Sequence, residues 1–230
     1  MDRTVIRIDE TTYRLEDGFV RAFLLSGSGK AILIDTGVSG PGLRAQVEAL
    51  TDRPVILINT HGDGDHTSAN GEFPACYLCR ADVENCRFRE KFPDCHPRDI
   101  LDGDRFDLGG RILRVIAVPG HTYGSVALLD ETNRALYSGD TVQDGHIFMF
   151  GAHRAPELFE AALEKLIGLK GEYDVIYPSH GTPELPNDYA EKVLQDWRSV
   201  RSGAVPFELT EIMGTTVKSC TAEQCGFYLS

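Results

Sequence analysis

Residues 59–70 read NTHGDGDHTSAN. His61, Asp63, Asp65 and His66 place two imidazoles and two carboxylates within six positions, and glycines stand at 62 and 64. The glycines predict a backbone that bends sharply. Imidazole nitrogens and carboxylate oxygens are the donors that a borderline divalent ion such as zinc accepts, so the segment predicts a metal-binding loop.

Working outward, the apolar run PVILIN at 54–59 delivers the chain to His61 as a buried strand. Three other ligand-type residues have the same placement. RILRVIAVPG leads to His121, RALYSGD ends on Asp140, and YDVIYPSH ends on His180. In layered α/β proteins, functional groups gather on loops at one end of the strands, so four such strand ends are expected to converge. Before the loop, TVIRI, TYRL and FVRAFLLS predict a meander of short strands, and AILIDTG a buried strand ending at Asp35. GPGLRAQVEALTD carries Leu43, Val47 and Leu50 at helical spacing. A strand at 75–79 and a helix near 81–91 follow, then a turn-rich surface loop at 93–104. SVALLD and RALYSGD predict a hairpin. APELFEAALEKLIGL and NDYAEKVLQDWRSVRSG predict amphipathic helices, and the tail at 205–230 a final pair of strands.

The motifs THGDGDH, PGHTYGS, SGDT and PSHG, with the leading LIDTG, resemble those of the metallo-β-lactamase superfamily, and within it the glyoxalase II-like hydrolases (hydroxyacylglutathione hydrolase-like). The resemblance spans roughly residues 5 to 200. It implies an α/β fold: an αββα sandwich of two mixed β-sheets with helices on both outer faces, here as a single domain over 1–230. It also implies two divalent metal ions. His61, Asp63 and His121 would hold the first, Asp65, His66 and His180 the second, and Asp140 would bridge them. Asp65 and Asp140 are then the carboxylates that carry catalysis, with a metal-bridging hydroxide as nucleophile. By the same resemblance Asp35 lies behind the loop as a support for a ligand. No GxSxG motif offers a serine nucleophile instead. The segment VQDGHIFMFGAHR at 142–154 mixes apolar bulk with polar groups and predicts a pocket wall, with His146, Phe148 and His153 as substrate-binding candidates. Tyr123, two residues after a ligand, is a candidate donor to a substrate oxyanion.

One position departs from the superfamily pattern, in which the loop reads His-x-His-x-Asp-His. Asp63 stands where the second histidine is usual. A carboxylate there adds a negative charge, dampens the acidity of bound water and favours harder ions. Zinc is expected first, with iron or manganese as alternatives. Flavodiiron proteins of the same superfamily carry a glutamate at this place, which raises a diiron oxidoreductase as a competing reading. Phosphodiester hydrolysis is a further alternative. The net charge of −12 opposes it, because an acidic surface repels nucleic acid. The expectation is a hydrolase for a small ester, thioester or lactone, acting on a small-molecule partner. The first residues lack the apolar core of a signal peptide and no apolar run is long enough to span a membrane, so a cytoplasmic location without membrane contact is expected. Six cysteines in 230 residues are too few for a disulfide scaffold. ACYLC at 75–79 reads as a short strand that sends Cys76 and Cys79 to opposite faces as structural thiols.

Overall fold

The computed structural model describes residues 3–85 and 87–230. In chain order the strands are β1 (Thr4–Arg7), β2 (Thr12–Asp17), β3 (Val20–Ser26), β4 (Ala31–Ile34), β5 (Val55–Ile58), β6 (Ala75–Tyr77), β7 (His96–Arg98), β8 (Arg105–Asp107) and β9 (Ile112–Ala117). They continue with β10 (Val126–Asp130), β11 (Ala135–Gly139), β12 (His146–Met149), β13 (Val175–Pro178), β14 (Leu185–Pro186), β15 (Phe207–Ile212), β16 (Thr215–Thr221) and β17 (Gly226–Leu229). The α-helices are α1 (Leu43–Leu50), α2 (Gly64–Thr67), α3 (Arg80–Asn85), α4 (Phe88–Lys91), α5 (Phe159–Gly168) and α6 (Tyr189–Arg201).

β1 to β7 form one mixed sheet in sequence order, and β14-β13-β11-β10-β9-β8 a second. Both faces of each sheet are covered, so their central strands are apolar throughout, and the period of two decides only which layer each side chain enters. On β3 and β4, Phe23, Leu25, Ile32 and Ile34 turn inward to meet Val126, Leu128 and Tyr137 of the second sheet. Their neighbours Ala22, Leu24, Ala31 and Leu33 turn outward onto Leu43 and Val47 of α1. Ala127, Leu129 and Leu136 of the second sheet face the other way, onto Phe159 and Leu163 of α5 and Val193 and Trp197 of α6. Helix, sheet, sheet, helix is thus the layer order, the αββα sandwich.

Three local expectations change. The tail is not a pair of strands: β15, β16 and β17 form a third sheet, and β12 joins it by pairing in parallel with β17. The 142–154 segment therefore holds a strand. The turn-rich 93–104 segment contains β7, which pairs with β6. The expected helix near 81–91 is two short helices, and Cys86 between them lies outside the described residues. Cys76 is buried with α1 on the outer face of the first sheet, whereas Cys79 packs toward the inter-sheet core. The two thiols therefore face apart, and Cys76, Cys79, Cys95, Cys220 and Cys225 are all free. No helix among the described residues is long and apolar enough to cross a membrane.

Candidate metal centre

Four strand ends build the site. β5 of the first sheet leads to His61 and, through α2, to His66. β9, β11 and β13 of the second sheet lead to His121, Asp140 and His180. β11 and β13 run parallel, and β9 shares their direction because both β9 and β11 are antiparallel to β10. Their C-terminal ends therefore open on the same side. The approach to Asp140 requires Gly139: its φ is +55°, and a Cβ there would lie 2.9 Å from Thr60 Cβ. Gly62 and Gly64 are different. Neither has a positive φ, so the loop bends without left-handed backbone at its glycines. Gly64 simply opens α2, and Asp63 is extended before it, with φ −66° and ψ 155°.

The donor atoms fall into two groups that share one carboxylate. His61, Asp63 and His121 form the first and Asp65, His66 and His180 the second, while Asp140 joins His61 and His66. In the first group, His121 Nε2 lies 3.2 Å from His61 Nε2 and 3.2 Å from Asp63 Oδ2. In the second, His180 Nε2 lies 3.3 Å from His66 Nε2 and 3.4 Å from Asp65 Oδ2. Asp140 turns Oδ1 to the second group, 3.2 Å from His66 Nε2 and 3.3 Å from His180 Nε2, and Oδ2 to the first, 3.5 Å from His121 Nε2. A tetrahedral ion with bonds of 2.0–2.2 Å separates its donors by about 3.3–3.6 Å, which these spacings match. Asp140 Oδ1 is buried with no hydrogen-bond partner. Orphaned atoms of this kind need a partner, and the donor set suits a pair of divalent ions.

Each histidine is oriented by its far nitrogen. His66 Nδ1 donates to Asp35 Oδ2 at 2.8 Å, His121 Nδ1 to the Phe148 carbonyl at 2.9 Å, and His180 Nδ1 to the Phe19 carbonyl at 2.8 Å. Thr60 Oγ1 gives its proton to Asp35 Oδ2 at 2.8 Å and so accepts from His61 Nδ1 at 3.0 Å. All four rings thereby carry a proton on Nδ1 and direct Nε2 into the site, the arrangement that prepares a ring for metal. Asp35 is fully buried and supports both His61 and His66. It also accepts from the Thr60 amide at 2.8 Å.

The charges within the site oppose burial. Burial works to neutralise Asp140, but attraction to His180 and His66 outweighs it and holds the carboxyl well below its usual range. Burial likewise opposes His180, yet Asp140 and Asp65 push its ring up to about 10. His66 is raised well above its ordinary value, against burial, by Asp140 and Asp35. His121 is lowered, first by burial and then by the Arg154 guanidinium. An ion entering the site takes the place of these protons.

Two residues outside the expected ligand set belong here, Arg154 from the end of the expected pocket wall and Asp82 from α3. Arg154 Nη2 donates to Asp63 Oδ2 at 2.7 Å, and its Nη1 lies 3.3 Å from His121 Nε2. Asp82 of α3, fully buried, accepts from the Gly62 amide at 2.8 Å, Thr122 Oγ1 at 2.8 Å and the Gly124 amide at 2.9 Å. It ties the loop of His61 to the loop of His121. Gly124 is needed for that clamp, because a Cβ there would sit 2.6 Å from Asp82 Oδ1.

The candidate substrate residues are placed less centrally. Tyr123 is exposed and its hydroxyl donates to Glu157 at 3.3 Å, so it is engaged away from the histidines. His146 stacks on Tyr228 with ring centroids 4.4 Å apart and lies against Ser219 of the third sheet. Phe148 packs edge-on to Tyr228 and near Phe150, and what it supplies to the donor cluster is its backbone carbonyl. His153 is half-buried beside Arg154, with Nδ1 unpartnered.

Comparison with known proteins agrees with this geometry. The chain is 36% identical over 152 residues to a hydroxyacylglutathione hydrolase of Methylococcus capsulatus, a match covering 66% of this chain and 55% of that protein. It is 27% identical over 199 residues to an acyl-coenzyme A thioesterase of Homo sapiens, covering 69% and 71%. The chain thus spans little more than half of the first of these relatives. A metallo-beta-lactamase from Pontibacter korlensis superposes with a TM-score of 0.73 at 18% identity, over 86% of this chain and 99% of that one, a likeness of fold. The sequence pattern of the metallo-beta-lactamase superfamily matches residues 15–77 and 79–180, which contain every residue of the two donor groups and Asp140. With that pattern laid over the sheet ends that carry the donors, the chain belongs to the metallo-beta-lactamase superfamily.

Proposed function

We propose that this chain is a hydrolase of small acyl compounds that uses two divalent ions, zinc first, and that a thioester is its preferred class of substrate. The observation that carries the reading is the division of donor atoms into two groups with one oxygen of Asp140 facing each. Ions held there supply an activated water and an electrophile for the acyl oxygen. The chain's own residues do the rest. Asp35, Thr60 and the Phe148 and Phe19 carbonyls fix the ring orientations. Asp82 holds the two loops in register, so little reorganisation is left for the reacting state. The thioester preference is supported by the names of the two relatives, a hydroxyacylglutathione hydrolase and an acyl-coenzyme A thioesterase. The single domain, a small-molecule partner and a cytoplasmic location are part of the same proposal.

The test is metal analysis of protein purified without added metal, followed by an ester, thioester and lactone panel with zinc, manganese and ferrous ion. Turnover of a thioester with zinc and none after chelation is expected. Full activity in chelator, or an ion content of zero with an intact fold, would refute the proposal.

A further inference from the structure

Arg154 makes both of its site contacts with donor atoms of the first group, Asp63 Oδ2 and His121 Nε2. The two contacts differ in kind. A carboxylate oxygen has two lone pairs and can accept from a guanidinium while serving an ion. The imidazole Nε2 has one, because Nδ1 already donates to the Phe148 carbonyl. An ion and the arginine therefore compete for His121 and share Asp63. The second group has no such competitor: no arginine or lysine hydrogen-bonds to Asp65, His66 or His180 among the described residues. Among the described residues, Arg154 is the one arginine or lysine within salt-bridge distance of Asp63.

We propose that Asp63 and Arg154 form one neutral unit in the place of a neutral imidazole, and that Arg154 is a resident cation of the first position, so that the second position loads first. This rests on the two-ion reading of the site. It also revises what Asp63 does to the charge there. The extra negative charge is balanced within the protein by Arg154, so a histidine at position 63 would leave the guanidinium uncompensated beside the first ion. Arg154 is a positioning residue in this account, acting on the ion through Asp63 and His121.

The experiment is stepwise zinc binding by the full chain, read by competition with a chromophoric chelator, for the native protein, Arg154→Gln, Asp63→His and the double variant. In the native chain the second equivalent is expected to bind roughly 10–100-fold more weakly than the first. Arg154→Gln should tighten that second equivalent by about tenfold or more, toward the first. Asp63→His should weaken it, and Arg154→Gln should tighten it by a larger factor in the Asp63→His background than in the native chain, a non-additive result that separate roles would not give. A guanidinium nitrogen resonance of Arg154 in the native chain supplies a reading that needs no variant. It should stay in place through the first equivalent of zinc and move during the second. Two equivalents binding with equal affinity, an Arg154→Gln variant that binds the second ion no better than the native chain, or a resonance that moves with the first equivalent would overturn the inference and leave the two-ion reading standing. A chain that binds no zinc would overturn both.

Discussion

Replacing Asp35 by asparagine tests how the site is supported. Position 35 has a φ of +62°, which asparagine tolerates better than most residues, so backbone strain is nearly unchanged. The amide oxygen can still accept from the Thr60 amide. Its NH2 group then takes the place of Oδ2, which now accepts from both Thr60 Oγ1 and His66 Nδ1. Donor meets donor. The least costly repair moves the His66 proton to Nε2, so that Nδ1 accepts from the amide, and that ring loses its lone pair toward the site. One donor of the Asp65, His66 and His180 group is gone, and zinc affinity there should fall roughly 10–100-fold. Losing a buried hydrogen bond to a charged acceptor costs about 1.5–3 kcal/mol. At about 2–4 °C per kcal/mol for a chain of this size, Tm of the chelated protein should drop by roughly 3–12 °C. Differential scanning calorimetry and zinc competition read the two effects separately. An asparagine variant with native Tm and native zinc affinity would refute the claim that Asp35 sets the His66 tautomer.

Asp140→Ala should lose both ions and at least about 100-fold in turnover, because one carboxylate faces both donor groups, while Cys79→Ser should retain full metal content by mass spectrometry under native conditions. Asp82→Asn exchanges one acceptor of a buried clamp for a donor and should lower Tm by several degrees, roughly 3–8 °C, with the first metal position weakened more than the second; equal weakening would mean Asp82 only stabilises the fold. The metal-free protein should also carry a pH signature. His180 and His66 are raised, so the stability from their charged forms is complete below about pH 6.5 and is lost as pH rises, for His180 through about 10. Asp140 and Asp65 are depressed, so their contribution is lost on the acid side. Tm in chelator should therefore fall between about pH 6.5 and 10, and zinc-loaded protein should show a flatter profile because the ion replaces the protons. Parallel profiles with and without zinc would contradict the assignment.

The layers and the donor cluster were legible because they rest on local patterns. Apolar strands such as AILI and VILI must be covered on both faces, and His61, His121, Asp140 and His180 each follow an apolar run. What escaped was set by long-range contacts. Arg154 meets Asp63 across a sequence separation of 91 residues, and nothing in GAHRAP at the end of the expected pocket wall marks it as the partner of Asp63. Asp82 sits in RADVEN, where an acidic residue in a first helical turn reads as a dipole partner facing water. β12 was hidden because its alternate residues Ile147 and Met149 enter the core while His146 and Phe148 lie on the other face of the same sheet beside Tyr228, so HIFM looks like a pocket lining.

β12 has one more consequence. The carbonyl that orients His121 belongs to Phe148, and Phe148 is held opposite Tyr228 in the parallel pairing of β12 with β17. On a ribosome, every donor of the cluster has been made by residue 180, yet the strand that anchors this carbonyl is made only at 226–229. The order of synthesis therefore differs from the order of completion. A nascent chain that has just released His180 holds all of its ligand chemistry but lacks the strand that steadies His121.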